Sequence, residues 1–102
     1  MSTLHTVNKS PFDRNSLETC LRLAGKGHSV LLFEDGVYGA MKGSTASGMV
    51  EKAMSDVSVY VLGPDMKARG VDESKIIDGI KVVDYKGFVD LTVNNDKVNA
   101  WL

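Results

Sequence analysis

Cysteine is nearly absent from this sequence, and its scarcity restricts both chemistry and location. Cys20 is the one cysteine among 102 residues, so the chain cannot form an internal disulfide. The first ten residues, MSTLHTVNKS, contain no apolar run of the kind that directs secretion. A lone thiol without a secretion signal is typical of a reducing compartment, and we expect the protein to be cytoplasmic.

Long apolar runs and an excess of one charge are also missing. The longest apolar runs, at 30–33 and 59–62, are four residues each, against the ~20 residues that a membrane-spanning helix needs. The formal net charge is −1, and Lys and Arg are spread along the chain. A direct reader of nucleic acid needs a basic patch that displaces counterions. We therefore expect neither a membrane nor a nucleic acid as a direct partner.

The residues that are present predict an ordinary globular domain. A hydrophobic content of 43% and a charged content of 25% are typical of folded rather than disordered chains. The length is that of one domain, so we expect a single unit over residues 1–102.

Apolar segments alternate with amphipathic ones along the chain, which predicts an α/β fold. Strands are predicted at 4–7, 29–33, 58–62, 80–85 and 98–102, and helices at about 15–24, 63–70 and 88–95, with a weakly helical region at 37–55. The runs at 30–33 and 59–62 are apolar without alternation, as in strands covered on both faces. We expect a three-layer α/β/α domain with a mostly parallel sheet of about five strands and these two runs at its centre.

Cys20 is the first candidate for chemistry, and two interpretations of it stay open. In the predicted first helix it lies near the edge of an apolar arc formed by Leu17, Leu21 and Ala24. A free cysteine in such a place is often a small hydrophobic residue. Alternatively it is a nucleophile or sulfur carrier, which a nearby cation, Arg22 or Arg14, would favour.

Carboxylates follow two of the predicted central strands, where parallel sheets place their functional groups. Glu34 and Asp35 end one strand, and Asp65 follows the next. They could hold a magnesium ion, as in a receiver-like or small-ligand module. The other interpretation is a polar turn in which Asp35 and Gly36 supply the turn geometry.

The other motifs point away from cofactors. The segment KGST at 42–45 has the wrong order for a phosphate loop, and no GxGxxG fingerprint occurs. His5 and His28 have no ligands at metal-binding spacing, so we expect their hydrogen bonds to be satisfied within the fold and no metal to bind. Trp101 is costly to expose, so it should pack at the edge of the core or against a partner.

Four segments, read in order, resemble the DsrH/TusB family of sulfur-relay subunits. They are MSTLHTVNKSP, LLFEDGV, VYVLGPDMKARGV and DYKGFVDLTVNNDKVNAWL, and the resemblance covers residues 4–102. It implies the α/β sandwich of the DsrE/F/H superfamily and a hexamer with DsrE/TusD-like and DsrF/TusC-like subunits, two copies of each. Such complexes pass persulfide sulfur between cysteines and on to a downstream acceptor protein, in dissimilatory sulfur oxidation or in tRNA 2-thiouridine synthesis.

The resemblance also bears on Cys20. The established carrier cysteine of these complexes belongs to the DsrE/TusD-type partner, whereas DsrH-like members carry a cysteine at the position of Cys20 and TusB-like members can lack it. We therefore expect a DsrH-like subunit, rather than a stand-alone enzyme, with Cys20 as candidate persulfide carrier in sulfur oxidation. The alternative is a non-catalytic scaffold subunit of a TusBCD-like complex in tRNA 2-thiouridine synthesis. Neither reading requires a cofactor.

Overall fold

The strands form one parallel sheet, as the sequence predicts. The structure is a computed structural model that describes residues 2–12 and 15–101. Within this part of the chain the strands are β1 (Thr3–Val7), β2 (Ser29–Leu32), β3 (Ser58–Leu62), β4 (Lys81–Val83) and β5 (Lys97–Trp101). Their order in the sheet is β4-β3-β2-β1-β5, and all neighbouring pairs are parallel. The two apolar runs therefore lie in interior strands.

Four α-helices and two short 3₁₀ helices connect the strands in the described residues. They are α1 (Ser16–Leu23), α2 (Ser47–Ala53), α3 (Gly63–Ala68) and α4 (Tyr85–Asn94), with 3₁₀ helices at Glu34–Ala40 and Glu73–Lys75. Three of the α-helices fall where the sequence predicts helices. The region 37–55 divides into the end of the first 3₁₀ helix and α2, because its glycines interrupt a longer helix. None of these helices has the length and apolar content to cross a bilayer.

One face of the sheet carries most of the core. Paired residues in neighbouring parallel strands point to the same side, so Val7, Leu32 and Val61 share a face. They belong to one packed cluster with buried residues of three helices. The α-helical members of that cluster are Leu17, Cys20, Val50 and Met66. α1, α2 and α3 therefore form the layer on this face.

The opposite face is covered by α4. Leu4, Leu31 and Leu62 point to this side and are at most 2% exposed. A Cβ added to Gly87 in α4 would lie 2.8 Å from the Cβ of Val83, whose strand partner is Leu62. The helix therefore packs directly on the sheet here. Its outward face is exposed, and none of its residues is fully buried.

The turn after β2 depends on a close backbone approach. The first 3₁₀ helix begins at Glu34, the one non-glycine residue among those described with a positive φ, at 49°. Two residues later, a Cβ on Gly36 would collide with the carbonyl oxygen of Val7. Glycine at this position lets the carboxyl ends of β1 and β2 meet.

Candidate functional site

Cys20 lies deeper in the fold than the sequence predicts. It belongs to the buried face of α1, and its exposed fraction is 0%. Burial raises the pKa of its thiol from an ordinary 9.0 to about 12, because a thiolate loses its hydration in the core. The helical wheel places Cys20 only at the edge of the apolar arc, and its burial is complete because α1 packs on the sheet and α2 lies beside it.

The described residues offer Cys20 no chemical activation in this conformation, and Arg14, the other cation considered from the sequence, lies outside them. Arg22, which could have favoured a thiolate, is exposed in the last turn of α1. Burial is the one cause that shifts the pKa of the thiol. Reactive cysteines have the opposite properties, a lowered pKa and partial exposure. In the described state Cys20 therefore acts as a core residue, and its role as a persulfide carrier stays a prediction.

Two of the three carboxylates at the carboxyl ends of β2 and β3, those of Asp35 and Asp65, bind other groups of the protein. Asp65 Oδ2 accepts a hydrogen bond of 2.6 Å from the backbone N–H of Glu34. Asp35 Oδ1 accepts one of 2.8 Å from Nε of Arg69, which raises the pKa of the guanidinium. No three histidine, cysteine or carboxylate side chains of the described residues gather as metal ligands. Asp65 thereby joins the turn after β2 to the first turn of α3, and Asp35 binds the residue that ends α3.

The two histidines and the tryptophan, which the sequence analysis treated separately, meet in one hydrogen-bonded group. Nε1 of Trp101 lies 3.0 Å from Nδ1 of His5. Nε2 of His5 lies 3.1 Å from Nδ1 of His28, which also receives the backbone N–H of Gly25 at 3.0 Å. This confirms that both histidines are satisfied within the fold and that Trp101 packs at the edge of the core.

Sequence reasoning missed that these residues bind one another. His5 and Trp101 are 96 positions apart, and they approach because β5 pairs with β1 at the edge of the sheet. The one signal in the sequence was that His5 and Trp101 both lie in predicted strands. Without the strand order, that signal does not say which strands are neighbours.

A cleft of about 1090 Å³ lies at the other edge of the sheet. Residues of α3, β4 and the start of α4 line it, among them Met66, Val82 and Asp84. Its lining includes neither Cys20 nor the histidines. The cleft is therefore separate from both groups.

The geometry defines a small three-layer α/β domain with a buried, unactivated thiol. The profile of the family described as "DsrH like protein" matches residues 9–98. The chain is 41% identical to "Protein TusB" of Erwinia tasmaniensis and 37% identical to "Protein TusB" of Pectobacterium parmentieri, over 96% of this chain and 99% of each relative. The "Protein TusB" of Escherichia coli is 36% identical over the same shares. The chain belongs to the DsrH/TusB family.

Solved structures confirm the fold independently of the sequence. The crystal structure of the ychN protein from E. coli superposes with a TM-score of 0.82 at 21% identity, covering 98% of this chain and 99% of that one. The protein MTH1491 from Methanobacterium thermoautotrophicum gives a TM-score of 0.73 at 18% identity, with 96% and 97% coverage. At such low identity these similarities establish the architecture alone.

Proposed function

We propose that this chain is a non-catalytic scaffold subunit of a TusBCD-like sulfur-relay complex in the cytoplasm, serving tRNA 2-thiouridine synthesis. The observation that carries the proposal is the burial of Cys20, with its thiol pKa at about 12. The TusB names of the relatives support this branch better than sulfur oxidation, the branch expected first from the sequence. In this assignment the carrier cysteine belongs to a partner subunit.

An exposed apolar stripe supports assembly with other subunits. Tyr85, Val89 and Val93 recur every four residues along α4 and are 61%, 58% and 74% exposed. Val98 of β5 is 49% exposed and points to the same face of the sheet, because it pairs with Leu4. Contiguous exposed apolar surface is a mark of protein interfaces. We assign this stripe to contacts with DsrE/TusD-like and DsrF/TusC-like subunits, in a hexamer with two copies of each.

The rival interpretation makes Cys20 a carrier. Its thiolate would attack the outer sulfur of a donor persulfide, forming a new S–S bond while the donor leaves as a thiolate. That attack needs an ionised thiol in contact with the donor, and burial of Cys20 opposes both conditions. The scaffold interpretation requires neither condition.

Mass spectrometry of the reconstituted complex separates the two interpretations. The chain is co-expressed with its DsrE- and DsrF-type neighbours as wild type, as Cys20→Ala, and as the control Leu23→Ala on the exposed side of α1. After treatment with a persulfide donor, we expect added sulfur on the DsrE-type subunit in all three complexes and none on this chain. Sulfur on Cys20, or loss of transfer in Cys20→Ala alone, would refute the scaffold role.

The tRNA branch is tested in cells. A bacterium that lacks its own TusB, TusC and TusD receives this chain with its two partners, and 2-thiouridine in its tRNA is measured by nucleoside mass spectrometry. We expect wild type and Cys20→Ala to restore the modified nucleoside equally. If the complex assembles and the nucleoside stays absent with wild type, the tRNA assignment is wrong.

A further inference from the structure

The hydrogen-bonded group of His5, His28 and Trp101 permits one arrangement of protons. The indole nitrogen of Trp101 and the backbone nitrogen of Gly25 can only donate. Each points at an Nδ1 atom, that of His5 and that of His28 respectively. Both Nδ1 atoms must therefore be unprotonated acceptors.

The contact between the two rings follows from that assignment. Nε2 of His5 lies 3.1 Å from Nδ1 of His28, and a hydrogen bond there requires a proton on Nε2 of His5. Both imidazoles are then neutral, each with its proton on Nε2. Trp101 therefore donates to His5, and His5 donates to His28. The backbone N–H of Gly25 is the second donor to Nδ1 of His28.

This row has no place for an additional proton on either Nδ1 atom. A proton on Nδ1 of His5 would face the indole N–H of Trp101. A proton on Nδ1 of His28 would face the N–H groups of His5 and Gly25. Either event replaces a hydrogen bond by two opposed donors in a partly buried position.

The charged groups among the described residues around His5 do little to favour its protonation. On this face of the sheet, the strand neighbours of His5 are the apolar Val30 in β2 and the uncharged Asn99 in β5. Lys97 lies two residues before Asn99 in β5. α1, which packs on this face, carries Glu18, Arg22 and the Cys20 thiol. Burial lowers the pKa of His5, and the repulsion that a proton on His28 would add lowers it further.

We propose that the row of Trp101, His5 and His28 is a proton-sensitive latch that holds the C-terminal strand β5 on the sheet. β5 is an edge strand with β1 as its one strand partner in the sheet, and its first four residues are exposed. Trp101 is its one partly buried residue and its side-chain anchor to the core. Protonation of His5 or His28 in this row removes that anchor. β5 then separates from β1, while β2 and β3 stay paired in the sheet. This inference is independent of the proposed sulfur-relay role.

The direction of the pH dependence follows from linkage. His5 binds a proton more readily in the open state, where its pKa returns toward 6.5. The closed state therefore has its full stability above pH 6.5 and loses it as the pH falls toward the lowered pKa of the closed form. With one proton taken up on opening, the opening equilibrium rises by up to about tenfold per pH unit in that window.

Two measurements on the full chain test the latch. Long-range ¹H–¹⁵N NMR of the wild type at pH 7.5 should find both histidines neutral with the proton on Nε2. A proton on Nδ1 of either ring would overturn the proposal without any substitution.

Amide hydrogen exchange from pH 7.5 to 5.5, corrected for intrinsic rates, then follows the opening itself. Protection of the β5 amides should fall by up to about tenfold per pH unit below pH 6.5, while β2 and β3 keep theirs. Trp101→Phe should lower β5 protection and abolish its pH dependence, whereas the control Tyr85→Phe on exposed α4 should behave as wild type. Constant β5 protection in the wild type, or an equal pH dependence in Trp101→Phe, would overturn the latch.

Discussion

Alkylation of Cys20 measures how completely the fold protects its thiol. Iodoacetamide reacts with thiolates, and burial moves the pKa of this thiol from 9.0 to about 12. Each pKa unit is a factor of ten in the ionised fraction, so the folded chain holds about a thousandfold less thiolate at neutral pH. Its exposed fraction of 0% further restricts access of the reagent. We therefore expect the folded chain to be alkylated at least about a thousandfold more slowly than the chain unfolded in concentrated urea.

Intact-mass measurement follows the reaction without ambiguity, because the chain has one cysteine. The matched control is the double variant Cys20→Ala/Leu23→Cys, which moves the thiol to a position that is 64% exposed on the same helix. That thiol should react at nearly the same rate with and without urea. A wild-type rate within about tenfold of the rate in urea would show that Cys20 is accessible, and the argument from burial would fail.

Three further substitutions test the core, the turn and the exposed stripe. Cys20→Ser should lower the free energy of unfolding in urea by about 1–3 kcal/mol, because a hydroxyl replaces the thiol in an apolar site; no loss would mean that water reaches the position. Gly36→Ala should lower the free energy of unfolding by about 3 kcal/mol, since its Cβ meets a rigid carbonyl. Gly48→Ala, with open space around it, should not lower the free energy of unfolding. Val89→Asp should leave the unfolding of the isolated chain unchanged and weaken capture of partner subunits in a pull-down. The exposed control Glu51→Gln should leave both the unfolding and the capture of partner subunits unchanged. Equal capture by both variants would exclude α4 from the interface.

The interior strands are predictable because burial on both faces requires a continuous apolar run in the sequence. β2 and β3 are continuous apolar runs, and the structure differs from the predicted bounds by one residue, Phe33, which precedes the 3₁₀ helix. β4 is shorter than predicted. It ends at Val83 because Asp84 caps α4, its carboxylate accepting the N–H of Gly87 at 2.8 Å.

The site is less predictable because it depends on contacts between distant residues. A helical wheel shows where Cys20 lies on α1 but not that α2 packs beside that helix and completes its burial. The histidine and tryptophan contacts depend on β5 lying beside β1, which local periodicity does not encode. The resemblance to the DsrH/TusB family predicts the overall architecture, since relatives match over 96% of the chain, but it does not predict these side-chain contacts.

The place of β5 beside β1 bears on how the chain folds during its synthesis. β1 is made before the other described strands and is buried along its whole length, yet its outer neighbour in the sheet consists of residues 97–101. While the ribosome is still adding those residues, a sheet of the first four strands exposes the hydrogen-bonding edge of β1 to other chains. Pairing between strands as far apart in the sequence as β1 and β5 is also slow to form. The nascent chain therefore stays vulnerable to aggregation until β5 has left the ribosome, and co-synthesised subunits or chaperones have that interval in which to shield it.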